Sequence, residues 1–281
     1  MKLLTVRQFQ SSPITAVALL LGASLLLCAC NTTSALNPVE FDKAQGSSQN
    51  ISSLTEVVNR NPRDANAYNV RGAAYGRAGR YSSAIDDFNT ALRLNPQFAD
   101  AYSNRALVYQ RQGNVQQAKS DYDAALRIDA NNDDALVGRA DLYRSANQRQ
   151  DALRDYNRAI ENGTTEARAY YGRGLLYQQS RQHDQAIADF SKSISLADRK
   201  PQPYNTRGLS YLAQGATQNA LDDFNTALKL DSRYAEAWTN QALVYEQRGE
   251  KKKAFKSYSR AAALNRNYQP AKDGMERTRG V

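Results

Sequence analysis

From residue 65 to residue 268 the side chains alternate between two hydrophobic stripes separated by polar turns. Windows of 34 residues beginning at Ala65, Ala99, Asp133, Ala167, Pro201 and Ala235 carry one pattern six times without insertion. The fourth position is large (Tyr68, Tyr102, Leu136, Tyr170, Tyr204, Trp238), the eighth is Gly or Ala, and the eleventh is always Tyr, from Tyr75 to Tyr245. The twentieth is always Ala, from Ala84 to Ala254. The twenty-fourth is Phe or Tyr (Phe88, Tyr122, Tyr156, Phe190, Phe224, Tyr258), and the twenty-seventh is small. Spacings of three and four place each set on one face of a helix. Each window therefore predicts two amphipathic helices, the first ended by a Gly such as Gly79, Gly113, Gly215 or Gly249. Small residues at positions eight, twenty and twenty-seven let the helices approach, and the aromatics fill the spaces between them.

This spacing is that of the tetratricopeptide repeat, and the chain is identified as a member of that family over residues 65–268. The resemblance implies an all-α solenoid of six 34-residue helix-turn-helix repeats (65–98, 99–132, 133–166, 167–200, 201–234 and 235–268) wound into a superhelix. A repeat leaves an apolar face that only its neighbour covers, so the array needs ends. Ile51, Leu54, Val57 and Val58 have helical spacing and predict an N-terminal capping helix within 50–64. The polar stretch 269–281 predicts a C-terminal capping helix whose buried candidate is Met275. Asn147 and Arg181 stand where Gly is expected, so the turns of repeats three and four should be less sharply fixed.

Upstream of the array the pattern changes. Residues 1–29 hold Lys2 and Arg7, no acid, and an apolar run from Ile14 to Leu27. That run is short of the roughly 20 residues that span a bilayer, and its order of basic, apolar and small residues is that of a secretory signal peptide. Its end, Leu27-Cys28-Ala29-Cys30, resembles a bacterial lipobox. The resemblance implies cleavage before Cys30 and acylation of that residue; the competing reading is a plain export signal with an incidental Cys. Asn31, rather than Asp, after Cys30 points to the outer membrane and a periplasm-facing protein, with the membrane contacted through the N-terminal lipid. Residues 30–49 then read as the lipidated Cys and a flexible tether, able to span roughly 25 Å.

Composition narrows the chemistry. A single His and two Cys cannot complete a four-ligand Cys/His zinc site, and any His-based catalytic group would have to use His183. No Gly-rich phosphate loop and no nucleophile–base spacing occurs. The expectation is a protein that is not an enzyme and that uses no cofactor and no metal. Residues 30–247 carry 25 basic and 25 acidic side chains, whereas 248–281 carry 10 and 3. Lys251, Lys252, Lys253 and Lys256 form a possible basic contact face for anionic headgroups or an acidic partner, with a plain solvated helix face as the alternative. Nucleic acid is not an expected partner behind an export signal.

Position seven is Arg and position twenty-three Asp in the first five repeats, and the sixth loses both, to Gln241 and Ser257. Joint loss within one repeat predicts a salt bridge between the two helices of a repeat. In this family the inner surface is lined mainly by positions 2, 5, 9, 12 and 13. Early repeats place polar and charged side chains there, among them Arg77, Ser103, Arg111, Asp134 and Asp141. Later repeats place Tyr171, Leu175, Gln178, Asn205, Leu209, Leu212 and Leu243 there, an apolar patch that is either a partner-binding groove or packing between repeats. No repeat has the Lys and Asn at positions 5 and 9 of the family's clamp for a peptide C-terminus. The architecture is similar to envelope adaptor lipoproteins of the NlpI type, which dock cell-wall hydrolases or a protease. It therefore implies a scaffold for other envelope proteins or peptides, with a homodimer also open. The alternative is a pilotin-like or outer-membrane assembly factor.

Overall fold

The computed structural model describes residues 45–280; the expected signal peptide, Cys30 and most of the expected tether lie outside them. Among the described residues there are fourteen helices and no strand. A lone helix α1 (Ser48–Arg60) comes first. Six pairs follow: α2 (Ala65–Arg77) with α3 (Tyr81–Leu94), α4 (Ala99–Arg111) with α5 (Val115–Ile128), α6 (Asp133–Ser145) with α7 (Arg149–Glu161), α8 (Ala167–Gln179) with α9 (His183–Leu196), α10 (Pro201–Ala213) with α11 (Thr217–Leu230), and α12 (Ala235–Gln247) with α13 (Lys251–Leu264). Helix α14 (Gln269–Thr278) closes the array.

Each first helix starts on the residue where its 34-residue window starts. Consecutive first helices touch one another, whereas among the described residues no two second helices do. The first helices therefore lie on the inside of the curve and the second helices splay apart outside, which makes the array a superhelix. Helix α1 packs on α2, and α14 packs on α12 and α13. Helix α1 begins two residues before the expected start, because Ser47 accepts a hydrogen bond from the Asn50 amide at 3.2 Å and caps it.

The turns inside the repeats are all alike. The amide of position sixteen donates to the carbonyl of the invariant Tyr at 2.8–2.9 Å in all six, as in Arg80 to Tyr75 and Gln148 to Tyr143. Asn147 and Arg181 adopt φ of 58° and 59°, the left-handed conformation that Gly79 and Gly113 adopt at 74° and 80°. The expectation of looser turns in repeats three and four is thus not met. Packing on both sides of the turn overrides the left-handed penalty of an L side chain, about 1–2 kcal/mol.

The core is a column of position-20 Ala, position-24 aromatics and position-27 small residues. The aromatics Phe88, Tyr122, Tyr156, Phe190, Phe224 and Tyr258 are all buried. They are seated in two ways. Each Phe lies on the glycine at position eight of its own repeat, so that a Cβ on Gly72, Gly174 or Gly208 would come within 2.7–2.8 Å of the ring. Each Tyr follows an Ala at that position and is displaced onto a glycine at position six of the next unit, Gly138, Gly172 or Gly274. This explains α14: its buried residues are Ala271, Gly274 and Thr278, with Met275 only half-buried, because the Tyr258 ring needs a residue without a side chain beside it.

The five Arg–Asp pairs form within repeats, each bidentate at 2.7–3.0 Å: Arg71–Asp87, Arg105–Asp121, Arg139–Asp155, Arg173–Asp189 and Arg207–Asp223. Each guanidinium lies against position-4 or position-11 aromatic rings, as Arg105 does with Tyr102 and Tyr109 at 5.5 and 5.9 Å. From repeat two onward the third nitrogen also reaches the preceding repeat, at Asn89, Asp123, Asn157 or Ser191. The same arginine therefore ties helix to helix and repeat to repeat.

Candidate partner-binding groove

The inner face is less open than the sequence suggests. Position five is buried in five repeats, as Asn69, Ser103, Val137, Asn205 and Thr239. These side chains are spent at the junctions: Asn69 accepts from Asn104 at 3.0 Å, and Asn205 accepts from Asn240 at 2.9 Å. Tyr171 is the exception. It is half-buried, tilted against Phe190 at 5.7 Å, and lines a cavity of about 240 Å³ with Arg168, Ser193, Lys200 and Pro203. Burial raises the pKa of its hydroxyl above the ordinary phenol value.

The other expected groove residues divide. Gln178 donates to the Thr206 carbonyl at 2.8 Å and Ser210 Oγ at 2.9 Å, so its amide stitches repeat four to repeat five. Leu209 and Leu212 are half-buried against Leu221, Phe224 and Val244, and Leu243 lies against Ala254 and Tyr258. Leu175 is half-buried as well. The leucines thus share their surface between packing and the groove, as side chains at the edge of a helix–helix contact do.

Positions two and thirteen form the exposed lip of the groove. In the early repeats this lip is charged. Arg77, Arg111, Asp134, Glu166 and Arg168 surround a cavity of about 320 Å³ with Ser103, Asn104 and Leu107. Although Asp134 is exposed on the lip, partial desolvation by the surrounding concave wall raises its carboxyl above the usual carboxylate range; Glu166, Asp100 and Asp133 add to the effect and Arg168 opposes it. Past Tyr171 the lip carries the uncharged Gln179, Gln202 and Ala213 through repeat five, and charge returns at Glu236 of repeat six.

The tyrosines of position 24 also contribute to this face, which the repeat pattern did not reveal. Passing over its glycine, the Tyr156 hydroxyl donates to Asp141 at 2.5 Å and accepts from Arg144 at 3.3 Å. Tyr122 donates to Gln110 at 3.0 Å and Tyr258 to Glu246 at 2.7 Å. Burial pushes the Tyr156 hydroxyl well above the phenol range, and the adjacent Asp141 carboxylate adds to it. The paired choice of Tyr with Gly six residues into the next unit was present in the sequence and would have located these hydroxyls.

The basic candidates are exposed on α13: Lys251, Lys252, Lys253 and Lys256. Lys253 pairs with Glu250, at 2.5 Å, and lies 5.5 Å from the Tyr245 ring. Among the described residues no group of three or more Cys, His, Asp or Glu could hold a metal ion, and no helix is long and apolar enough to cross a membrane.

Family models described as "TPR repeat" and "Tetratricopeptide repeat" match residues 77–113, 97–164, 167–199 and 205–270. The chain belongs to the tetratricopeptide repeat family. No curated relative matches the chain by sequence. Among solved structures, the Cut9–Hcn1 hetero-tetramer of the APC/C superposes with a TM-score of 0.74 at 18% identity, covering 86% of this chain and 48% of that one. This chain therefore spans about half the length of that relative. PilW, titled a widely conserved type IV pilus biogenesis factor, gives a TM-score of 0.65 at 17% identity over 74% of this chain and 97% of its own. YrrB, titled a repeat protein with an unusual peptide-binding site, gives 0.59 at 20% identity over 68% and 99%. At these identities the likeness is one of fold. Tetratricopeptide repeat proteins mediate protein–protein interactions.

Proposed function

We propose that the protein is a lipid-anchored scaffold of the bacterial envelope that faces the periplasm and holds a segment of another protein in its inner groove. The observation that carries this reading is the change in lining at Tyr171. Repeats one to four offer the charged wall of Arg77, Arg111, Asp134 and Arg168, and repeats four and five offer the uncharged step of Tyr171, Leu175, Leu209 and Leu212. A partner segment with a charged part and an apolar part complements both. The peptide-binding site described for YrrB supports a peptide in such a groove. The lipobox-like Leu27-Cys28-Ala29-Cys30 supports the anchor, and Asn31 after it supports the outer membrane.

The test is a photo-crosslinking residue placed at Tyr171 in the acylated protein in cells, with the same residue at exposed Arg93 on α3 as control. A product specific to position 171 that disappears in Leu212→Glu supports the groove. Equal crosslinking at both positions overturns it. In the same cells Cys30→Ala should move the protein out of the membrane fraction; retention there would remove the anchor from the proposal.

A second reading, a pilus or outer-membrane assembly factor, is favoured by the match to PilW across almost all of that chain. Capture of an outer-membrane secretin, rather than a hydrolase or protease, would select it.

A further inference from the structure

Repeat six differs from the other five on the side facing away from the groove. At about 100° per residue, positions 4, 7 and 11 of a first helix share a face centred about 130° from that of positions 5, 9 and 12. On that outer side repeats one, two and five hold the Arg side chain between two aromatic rings, as Arg71 lies 5.6 and 5.8 Å from Tyr68 and Tyr75, and Arg207 lies 5.7 and 5.9 Å from Tyr204 and Tyr211, while Arg139 and Arg173 lie against Tyr143 and Tyr177 alone. Repeat six keeps the rings, Trp238 and Tyr245, and lacks the guanidinium. The shorter Gln241 stays low, donating to Asn225 at 2.7 Å and accepting from Ser257 at 2.6 Å. A cavity of about 780 Å³ opens along α12 and α13 where it sits.

The charge of this slot is also reversed. In repeats one to five a buried Asp faces it; in repeat six Ser257 takes that place. The rim is formed by Lys253, Lys256 and Arg260. Neither Lys256 nor Arg260 has a carboxylate partner among the described residues, and the same rim positions carry Asp86, Asp151 and Asp222 in other repeats. The one carboxylate at this rim, Glu250, is already taken by Lys253, whereas an incoming carboxylate would meet the unpaired Lys256 and Arg260 above two aromatic walls.

We infer that this vacated arginine slot is a second binding site, one that takes an acidic peptide segment bearing an aromatic side chain. The aromatic group enters between Trp238 and Tyr245, and flanking carboxylates meet Lys256, Arg260 and Lys253. Ser257 and Gln241 line the floor. The site lies on the outer surface, so it operates whether or not the inner groove holds a partner.

Trp238 is the chain's one tryptophan, so its fluorescence reports the slot directly. The full chain, held in a mild non-ionic detergent, is titrated with the pentapeptide acetyl-EEFEE-amide and, in parallel, with acetyl-KKFKK-amide. The expected result is a saturable change in Trp238 emission with the acidic peptide alone, weakened about tenfold or more in Lys256→Glu, Arg260→Glu. A second variant, Gln241→Arg with Ser257→Asp, rebuilds the pair of the other repeats and should fold at least as stably while losing the response. No saturation with the acidic peptide, or equal binding by the refilled variant, overturns the inference. So does a response to phosphatidylglycerol vesicles in the absence of any response to the peptide, which would make the slot a headgroup site.

Discussion

Two kinds of junction occur along this array, and they bury the same aromatic position by opposite routes. Where position 24 is Phe, at the one–two, four–five and five–six junctions, the ring rests on a glycine of its own repeat and the next repeat supplies Asn104, Thr206 or Asn240 at position six. Where it is Tyr, at two–three, three–four and six–cap, the ring leans forward over Gly138, Gly172 or Gly274 and sends its hydroxyl to the inner face. One glycine is needed in each case; what differs is the helix that gives up its side chain. The Phe junctions close with neutral amides, as Asn104 to Asn69, whereas the Tyr junctions close with a phenol bonded to a carboxylate or amide. A repeat array can thus vary the polarity of its groove without moving a helix.

The largest expected effect concerns what the two junctions share. Arg139 at a Tyr junction and Arg207 at a Phe junction both bridge their own Asp and the preceding repeat. Either Arg→Ala change should cost about 3–5 kcal/mol, since a buried carboxylate is left unpaired. Arg139→Ala should cost the more, because Asp155 and Asp123 both lose a partner. Denaturant unfolding of Arg139→Ala, Asp155→Ala and the double variant should be strongly non-additive; full additivity would break the account of the pair.

Next in size is the exchange of one junction for the other. Gly172→Asn alone places a side chain inside the Tyr156 ring and should cost about 1–3 kcal/mol or more. Adding Tyr156→Phe and Ala140→Gly converts the site to the Phe kind and should recover most of that loss. A triple variant no more stable than the single one would show that the two junctions are not interchangeable solutions.

Smaller again is the hydroxyl by itself. Tyr156→Phe removes a hydrogen bond to a carboxylate and should cost about 1.5–3 kcal/mol, within the range for charged partners. The pH dependence distinguishes this from simple packing. The folded pKa of Tyr156 is raised, so its contribution is fully present below the ordinary phenol pKa near 10 and is lost as pH rises through the folded value. Stability of the wild type should therefore fall more steeply above pH 10 than that of Tyr156→Phe. Absorbance titration should show a tyrosine missing from the ordinary phenolate transition in the wild type.

The smallest effect is at the turns. Arg181→Gly should raise stability by about 1 kcal/mol, because glycine enters the left-handed region without the clash of a Cβ. Thermal unfolding compared with Asn147→Gly should give the larger gain at Arg181, since Asn already tolerates that conformation.

Much of this was legible in the residues. The 34-residue period placed the first residue of every first helix, and the joint loss at Gln241 and Ser257 identified the Arg–Asp pairs. The candidate groove was legible only in outline. Leu209 and Gln178 occupy inner positions, yet each is partly or wholly engaged with a neighbouring repeat, and the spacing of one helix says nothing of how far the next helix leans over it. Tyr171 is open because its own junction leaves a cavity beside it.

By itself the sequence determined the helices, their pairing, the number of repeats and the capping need, because each follows from local periodicity and from apolar faces that must be covered. Only the tertiary structure decided which of those faces remain accessible. Superhelical curvature brings the first helices together and spreads the second helices apart, burying Asn205 on the inside and leaving the space above Gln241 open on the outside. That outcome depends on the sum of many interhelical contacts, and no single window of the chain contains it.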